Sequence, residues 1–447
     1  MRLSICGPVR NLRGEIAVPG DKSISHRALM FGALAGGTSR ARHGLNAGVT
    51  QAMIDCLRAL GIEIEVSADE FLIHGGHWRP STAPLDCRGS GATIRMLMGA
   101  LAGQPFSSTL TGSPGLLRRP MGRVADPLRR MGARIAGCDG TDQPPLVIDG
   151  ARLRGIDYAL PVASAQVKTA LLIAALSADG ATTLHEPGPS RDHTERMLRS
   201  LGVSLTMPPA SSGGEHLPAP TNYSVTLTSD RLPLPAFDLA VPGDFSSAAF
   251  LLIAALIVPG SDVVIRAVGV NPTRTGLLDA LSDMGARVAM NGEHESSGEP
   301  VADLVVRANP LRGSMVHGER VVRMIDEFPI FAVAATQAEG ETVVRDAAEL
   351  RVKESDRIAA IVAELRKMGA AIEVREDGFV VEGLTPLHGA RVESHGDHRL
   401  AMALAVAGLV AEGETVIDGA ECIDESFPGF IDLMRSLRGS ELRIADC

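Results

Sequence analysis

The residues with chemistry to offer are bases placed where helices begin. Lys22 and Arg27 stand in GDKSISHR (20–27), Arg95 in RGSGATIR (88–95), Lys168 in ASAQVK (163–168) and Arg399 in HGDHR (395–399). Each stretch opens an Ala-rich apolar run, as do GDFSS (243–247) and IDEFP (325–329). Small, Gly and Ser residues at such starts leave backbone N–H groups free to face an anion, and the helix dipole favours negative charge there. Arg119, Arg191, Lys353 and Arg357 add bases in the loops before a second set of helices. One Lys or Arg at a helix start is ordinarily just a solvated charge. A whole set at equivalent positions, in a chain of formal net charge −10, implies a local grip on a highly anionic ligand. Phosphates and carboxylates fit best, Arg giving a two-pronged grip and Lys a point charge. Asp326 and Glu327 read either as complement to a helix dipole or as acid–base groups. His395, Asp397 and His398 lack a well-placed third metal ligand, and Arg399 would repel a cation, so no metal is expected. Gly89-Ser90-Gly91 lacks the Gly-Lys-Ser/Thr ending of a P-loop. Met30, Met96 and Met98 read as core filling, and Arg118, Arg129 and Arg130 as exposed charge.

The elements that position these groups recur. An Ala-rich helix running into Gly and a β-prone stretch appears as MFGALAGGTSR, MLMGALAGQPFSSTL, LLIAALSADGATTL, LLIAALIVPGSDVVI, AVAATQAEGETVV and LAVAGLVAEGETVI. A second helix closing on Gly before a strand appears as LRALGIEI, LRRMGARI, LRSLGVSL, LSDMGARV, LRKMGAAI and, more weakly, MRSLRGSELRI. The closing residues Gly61, Gly132, Gly202, Gly285, Gly369 and Gly439 supply the left-handed conformation that ends a helix. Six alternating copies of about 75 residues exceed the 20–50 residues of a solenoid unit, so compact domains are expected. Ala17-Val18-Pro19-Gly20-Asp21-Lys22-Ser23 recurs as Ala240-Val241-Pro242-Gly243-Asp244-Phe245-Ser246, rigid turns suited to a domain crossover. This predicts an α/β chain of two lobes with three units each. Residues 20–240 form one lobe, residues 1–19 with 241–447 the other, and the active site is expected in the cleft between them. A single doubly wound sheet is the plainer alternative that the paired crossover disfavours. Met207 to Asn222 and Asn291 to Glu299 read as surface loops.

Composition bounds the rest. At 447 residues the chain suits two domains. With 45% apolar but only 3% aromatic residues, the core is expected to be built from Ala, Leu, Ile, Val and Met. No uninterrupted apolar run reaches the roughly 18 residues of a membrane span, and the first residues read as neither signal nor transit peptide. Six scattered cysteines without CxxC spacing suit reduced thiols in a cytoplasm. The net acidity disfavours nucleic acid as a partner.

The motifs PGDKSISHR, LRRPMGR, ASAQVKTALL, PTRTG, MIDEFPIFAVAA, LRVKESDRI, DHRLAMA and SFPGF, from Pro19 to Phe430, resemble those of the 5-enolpyruvylshikimate-3-phosphate synthase family. The wording of residues 163–168 and 191–195 is most similar to its bacterial class II subgroup. The resemblance implies an inside-out α/β barrel fold, two lobes each of three βαβαββ units. It implies transfer of the enolpyruvyl group of phosphoenolpyruvate to the 5-hydroxyl of shikimate-3-phosphate, with phosphate released through a tetrahedral intermediate. Lys22, Ser23, Arg27, Ser164, Ala165, Gln166, Arg191, Asp326 and Lys353 match the family's shikimate-3-phosphate contacts. Lys22, Gly91, Arg119, Gln166, Arg357 and Arg399 match its phosphoenolpyruvate contacts, and Lys22, Asp326 and Glu354 its catalytic groups. No cofactor is implied. The expected partners are the two small-molecule substrates, not nucleic acid or membrane, and the chain is expected to be a cytoplasmic monomer.

The sequence departs from the family pattern where GNxGT is Arg88-Gly89-Ser90-Gly91-Ala92, where an acidic residue is replaced near Gly48-Val49, and at Glu425. Gly91 holds the position linked in this family to glyphosate, and Gly89 and Ala92 alter the same pocket. The sister UDP-N-acetylglucosamine enolpyruvyl transferases carry a Cys on the loop matching Ser113 to Gly122, where this chain has none. A catalytically silent anion-binding homologue is the other alternative; the departures favour it, and intact Lys22, Asp326, Glu354 and Arg399 oppose it.

Overall fold

Helices that are apolar around their whole circumference must be covered on every side. The six Ala-rich runs behave so. In the computed structural model, which describes residues 1–137, 140–207, 223–228, 232–440 and 443–446, they become the helices Lys22–Ala33, Gly91–Ala102, Ala165–Ala175, Phe245–Ile257, Phe328–Thr336 and His398–Val410. Nearly every residue of these helices is buried. Small residues let them approach closely: a Cβ on Gly99 would stand 2.1 Å from the Ala170 carbonyl oxygen of the neighbouring helix.

The chain divides into two units, one of residues 1–21, 242–295 and 300–447, the other of residues 22–241 with 296–299. Each contains three of the six sheets formed by the described residues, so a single doubly wound sheet does not occur. The sheets share one plan. A short strand pairs in parallel with the strand leaving an Ala-rich helix, which pairs antiparallel with a return strand, which pairs with the strand leaving the second helix. Leu85–Asp86, Ser107–Thr111, Leu146–Asp149 and Arg134–Gly137 show it in the 22–241 unit. Met315–Val316, Ala338–Val344, Gly378–Gly383 and Ala371–Arg375 show it in the other. The chain start belongs to the latter unit, with Arg2–Gly7 antiparallel to Gly413–Asp418 (Ile5 opposite Thr415) and Arg10–Ala17 parallel to Asp262–Gly269.

Five of the closing glycines, Gly61, Gly132, Gly202, Gly285 and Gly369, have φ between 77° and 118°, the left-handed region that a Cβ disfavours. Gly439 does not close a helix. Phe430–Ser436 ends on Leu437 in an extended conformation, and Gly439 lies inside the strand Arg438–Ser440. The loop expected at Asn291 to Glu299 is instead a hairpin of Val288–Ser296 and Glu299–Arg307 turning at Ser297-Gly298, both at positive φ. Its polar run was misleading because the outer strand is exposed along almost its whole length and needs no apolar alternation. The loop expected at Met207 to Asn222 falls, from residue 208 on, outside the described residues. The core also uses more aromatic residues than the 3% suggested. Phe245, Phe250, Phe328, Phe331, Phe379, Phe427 and Phe430 are all buried in the 242–447 portion, with edge-to-face pairs such as Phe250–Phe430 and Phe328–Phe379. No described helix is long and apolar enough to cross a membrane.

Candidate active site

In the 22–241 unit the helix starts gather polar groups. Ser90 caps the Gly91 helix, its hydroxyl accepting from the Thr93 N–H at 3.2 Å, and Ser164 caps the Ala165 helix in the same way at 3.5 Å. A Cβ on Gly91 would lie 2.7 Å from Arg95 Nη1 and 2.9 Å from Arg119 Nη1, so the absent side chain is what admits two guanidinium groups. Arg95 donates to the Gly91 carbonyl (3.1 Å) and to Gln166 Oε1 (2.7 Å), joining the Gly91 and Ala165 helix starts. Gly91, Arg119 and Gln166 are thereby one cluster. Arg88 turns away, its guanidinium pairing with Asp55 at 2.6 Å, so of the two bases near the Gly89 and Ala92 departures only Arg95 faces the helix start.

Lys22 and Ser23 open their helix half-buried, and Arg27 lies one turn further in. The buried Arg27 donates to Thr194 Oγ1 (2.7 Å), Thr169 Oγ1 (2.6 Å) and the Ser23 carbonyl (2.9 Å), which fixes its plane. His26 sits beneath Lys22, one ring nitrogen against the Lys22 carbonyl at 2.7 Å and the other near the Val49 carbonyl and Ser90 hydroxyl. Burial, and secondarily the neighbouring Lys22 and Arg27 charges, push its pKa down to about 4, so it is a neutral strut. Arg191 is half-buried at the loop before His193–Ser200. Lys168, counted among the anion-gripping bases from sequence, has another use. It is buried and held 2.7 Å from both Glu186 and Glu195. Burial alone would lower its pKa, but the two carboxylates outweigh it and hold it above the ordinary lysine value. With one cation between two carboxylates, Glu195 is pushed up by burial despite Lys168. Thr169, Thr194 and Glu195 stand inside family-like stretches without being singled out there, and Glu186 stands in none; their contacts with Arg27 and Lys168 are made by the fold.

The other unit gathers acids and bases together. Arg357 opens the helix Arg357–Lys367, is only 2% exposed, and donates to Asp397 (2.8 Å), Glu354 (2.7 Å) and, at 3.4 Å, Asp326. Arg399 reaches the Asp326 backbone carbonyl at 3.2 Å, with its other terminal nitrogen 3.8 Å from the Asp326 carboxylate. Lys353 stands close enough to feel Asp326, Arg357 and Glu354, and burial, reinforced by Arg357, lowers its pKa against the pull of the two carboxylates. Asp326, Lys353, Glu354, Arg357 and Arg399 thus share one site. Asp397 joins them. It caps the His398 helix through the Arg399 N–H (2.9 Å) and is fully buried; burial would raise its pKa, but Arg357 and His398 overcome this and hold it low. In the sequence Asp397 offers itself as a metal ligand; its place directly before a helix is the one sign of its capping role. His395 pairs with Glu364 at 2.8 Å instead. Arg129, read as exposed charge, is half-buried and donates to Asp142 (2.7 Å) and the Ile135 carbonyl.

Residues 7–434 match the family model described as EPSP synthase (3-phosphoshikimate 1-carboxyvinyltransferase). The chain belongs to the EPSP synthase family. It is 51% identical over 435 residues to the 3-phosphoshikimate 1-carboxyvinyltransferase of Desulforudis audaxviator, covering 96% of this chain and 98% of that protein. It is 50% identical over 430 residues to the protein of the same name from Geobacter sulfurreducens, covering 96% and 97%. Among solved structures it is similar to the EPSP synthase of Acinetobacter baumannii, with TM-score 0.86, 40% identity and full coverage of both chains. The enolpyruvyl transferase NikO of Streptomyces tendae, at TM-score 0.77, 19% identity and coverage of 99% and 98%, shares the fold. The two-lobed enolpyruvyl transferase fold and membership of a carboxyvinyl transferase family of the shikimate pathway are therefore established for the chain. The EPSP synthase family uses phosphoenolpyruvate and shikimate-3-phosphate, a pair as anionic as the clustered bases require.

Proposed function

We propose that this chain transfers the enolpyruvyl group of phosphoenolpyruvate to the 5-hydroxyl of shikimate-3-phosphate, with Lys22, Asp326 and Glu354 as its catalytic groups. Asp326 takes the hydroxyl proton as the oxygen bonds to C2 of the enol, while C3 receives a proton. The tetrahedral intermediate then loses phosphate from C2 and the added proton from C3, leaving the enol ether. Glu354 and Lys22 serve the C3 proton and the departing phosphate, whose charge the Lys22 ammonium offsets. Lys22, Ser23, Arg27, Ser164, Ala165, Gln166, Arg191, Asp326 and Lys353 hold shikimate-3-phosphate. Lys22, Gly91, Arg119, Gln166, Arg357 and Arg399 hold phosphoenolpyruvate.

The observation that carries the reading is the Asp326 environment: an incompletely buried carboxylate, 18% exposed, against two buried guanidinium groups. The guanidinium groups hold the carboxylate in place, and its exposure leaves it accessible to a substrate hydroxyl. The reaction requires no cofactor. We further propose that the chain works as a cytoplasmic monomer without nucleic-acid or membrane partners, which the formal charge of −10 favours. The test is phosphate release from purified protein with phosphoenolpyruvate and shikimate-3-phosphate, beside a UDP-N-acetylglucosamine control. With phosphoenolpyruvate present in both, release is expected with shikimate-3-phosphate and not with the nucleotide sugar. Release only with the nucleotide sugar, or none from folded protein, would overturn the reading.

A further inference from the structure

Arg274, in the turn Pro272-Thr273-Arg274-Thr275-Gly276, is assigned no part in gripping substrate or moving protons, yet it is only 2% exposed. Its guanidinium donates to Asp21 through Nη1, and through Nη2 to Asp244 Oδ1 (3.2 Å) and Ser246 Oγ (2.8 Å). Asp21 and Asp244 lie where the chain passes between the two units. The two passing segments are themselves tied together: the Asp21 N–H donates to the Pro242 carbonyl (2.8 Å), the Asp244 N–H to the Pro19 carbonyl (2.9 Å), and Gly20 bridges Gly243.

The network does not stop at these aspartates. The Ser246 hydroxyl donates to the carboxylate of Glu327, the buried residue at the start of the Phe328 helix. The Glu327 N–H donates to the Met324 carbonyl (3.0 Å) and its own carbonyl accepts from the Phe331 N–H (2.9 Å), so fixing Glu327 fixes the turn that carries Asp326. A counter-ion needed only for Asp21 and Asp244 would have no use for this extension. Burial opposes the Arg274 charge, but Asp21, Asp244, Glu327 and Asp326 together outweigh it, so Asp326 itself lies within the field of this guanidinium.

We propose that Arg274 is a positioning residue for enolpyruvyl transfer: through Ser246 and Glu327 it locks the helix start that presents Asp326, while its other bonds anchor both passing segments. This rests on the reading of Asp326 as the base. The variants are Ser246→Ala, Arg274→Met and Arg274→Lys, with Asp326→Asn in parallel. Each is measured for kcat and both KM values in phosphate release, for shikimate-3-phosphate affinity by calorimetry, and for Tm. Ser246→Ala leaves the Arg274 ion pairs with Asp21 and Asp244 in place and removes the hydroxyl that links Arg274 to Glu327. It is expected to lower Tm modestly, because the buried Glu327 carboxylate loses a donor, and to stay folded at the assay temperature with unchanged substrate affinity. Its kcat is expected to fall about tenfold, since small misplacements far from the chemistry cost up to roughly 10²-fold. Arg274→Met is expected to lose about 10²-fold in kcat and Arg274→Lys to recover part of that, by the same reasoning. If Arg274→Met does not fold, Ser246→Ala still decides. Near-normal turnover by Asp326→Asn sinks the assignment of the base. With Asp326→Asn inactive, a wild-type kcat in Ser246→Ala, or losses that only track the folded fraction, overturns the relay alone.

Discussion

Two buried cations, one in each unit, show how the same chemistry is closed in one place and left open in another. Lys168 stands between Glu186 and Glu195 with all three side chains at most 7% exposed. Arg357 also meets carboxylates, but in graded fashion: Asp397 is fully buried, Asp326 18% exposed and Glu354 34% exposed. The first cluster has no face left for a ligand and ties the Ala165 helix to the elements after it. The second buries its guanidinium and Asp397 but leaves Asp326 and Glu354 partly exposed. A buried ion pair is weak evidence for net stability, because desolvation offsets its attraction, whereas removing one partner strands the other. A site whose acids reach solvent can exchange protons and meet substrate.

Breaking the open cluster should cost turnover rather than folding. Asp326→Asn is expected to lower kcat by about 10²–10⁴-fold, the usual contribution of a general acid–base group, with Tm nearly unchanged. Phosphate-release kinetics and a thermal melt check both halves, and an equal loss of Tm would erase the contrast. The closed cluster should respond in the opposite sense. Lys168→Met strands two buried carboxylates and is expected to cost about 3–5 kcal/mol of stability, read as a lowered denaturant midpoint.

His26 sharpens the contrast through pH. Its folded pKa of about 4 lies below the ordinary histidine value of 6.5, so the unfolded chain binds the proton first. Stability is fully present above pH 6.5 and is lost as pH falls toward 4, by about 3 kcal/mol at most from two to three pKa units. Melts across that window should show the slope in the wild type and a shallower one in His26→Gln; equal slopes would reject the buried neutral strut. The smallest expected effect is at Gly91. A Cβ there meets only the mobile ends of Arg95 and Arg119, so Gly91→Ala should fold normally. Displacing guanidinium groups that bind an anion should raise the KM for phosphoenolpyruvate about tenfold, within the worth of one charge-assisted hydrogen bond. The KM for shikimate-3-phosphate is the internal control, and glyphosate inhibition should weaken in parallel.

Sequence by itself determined the repeats, the helix starts and the family. Each rests on local chemistry: Ala-rich runs that must be buried all round, helix-ending glycines such as Gly61 and Gly369 at φ near 90°, and motif strings such as LRVKESDRI. Where local chemistry was ambiguous, the reading slipped. Gly439 looked like a helix stop but lies in a strand, and 291–299 looked like a loop but forms a hairpin, because an exposed strand carries no apolar period. Only the tertiary structure decided which charges are spent. Lys168 and Arg399 occupy equivalent helix starts, yet one is neutralised by Glu186 and Glu195 while the other faces Asp326. Whether a base is available depends on partners far away in sequence, and neither Asp397 beneath Arg357 nor Arg274 behind Glu327 announces itself by spacing along the chain.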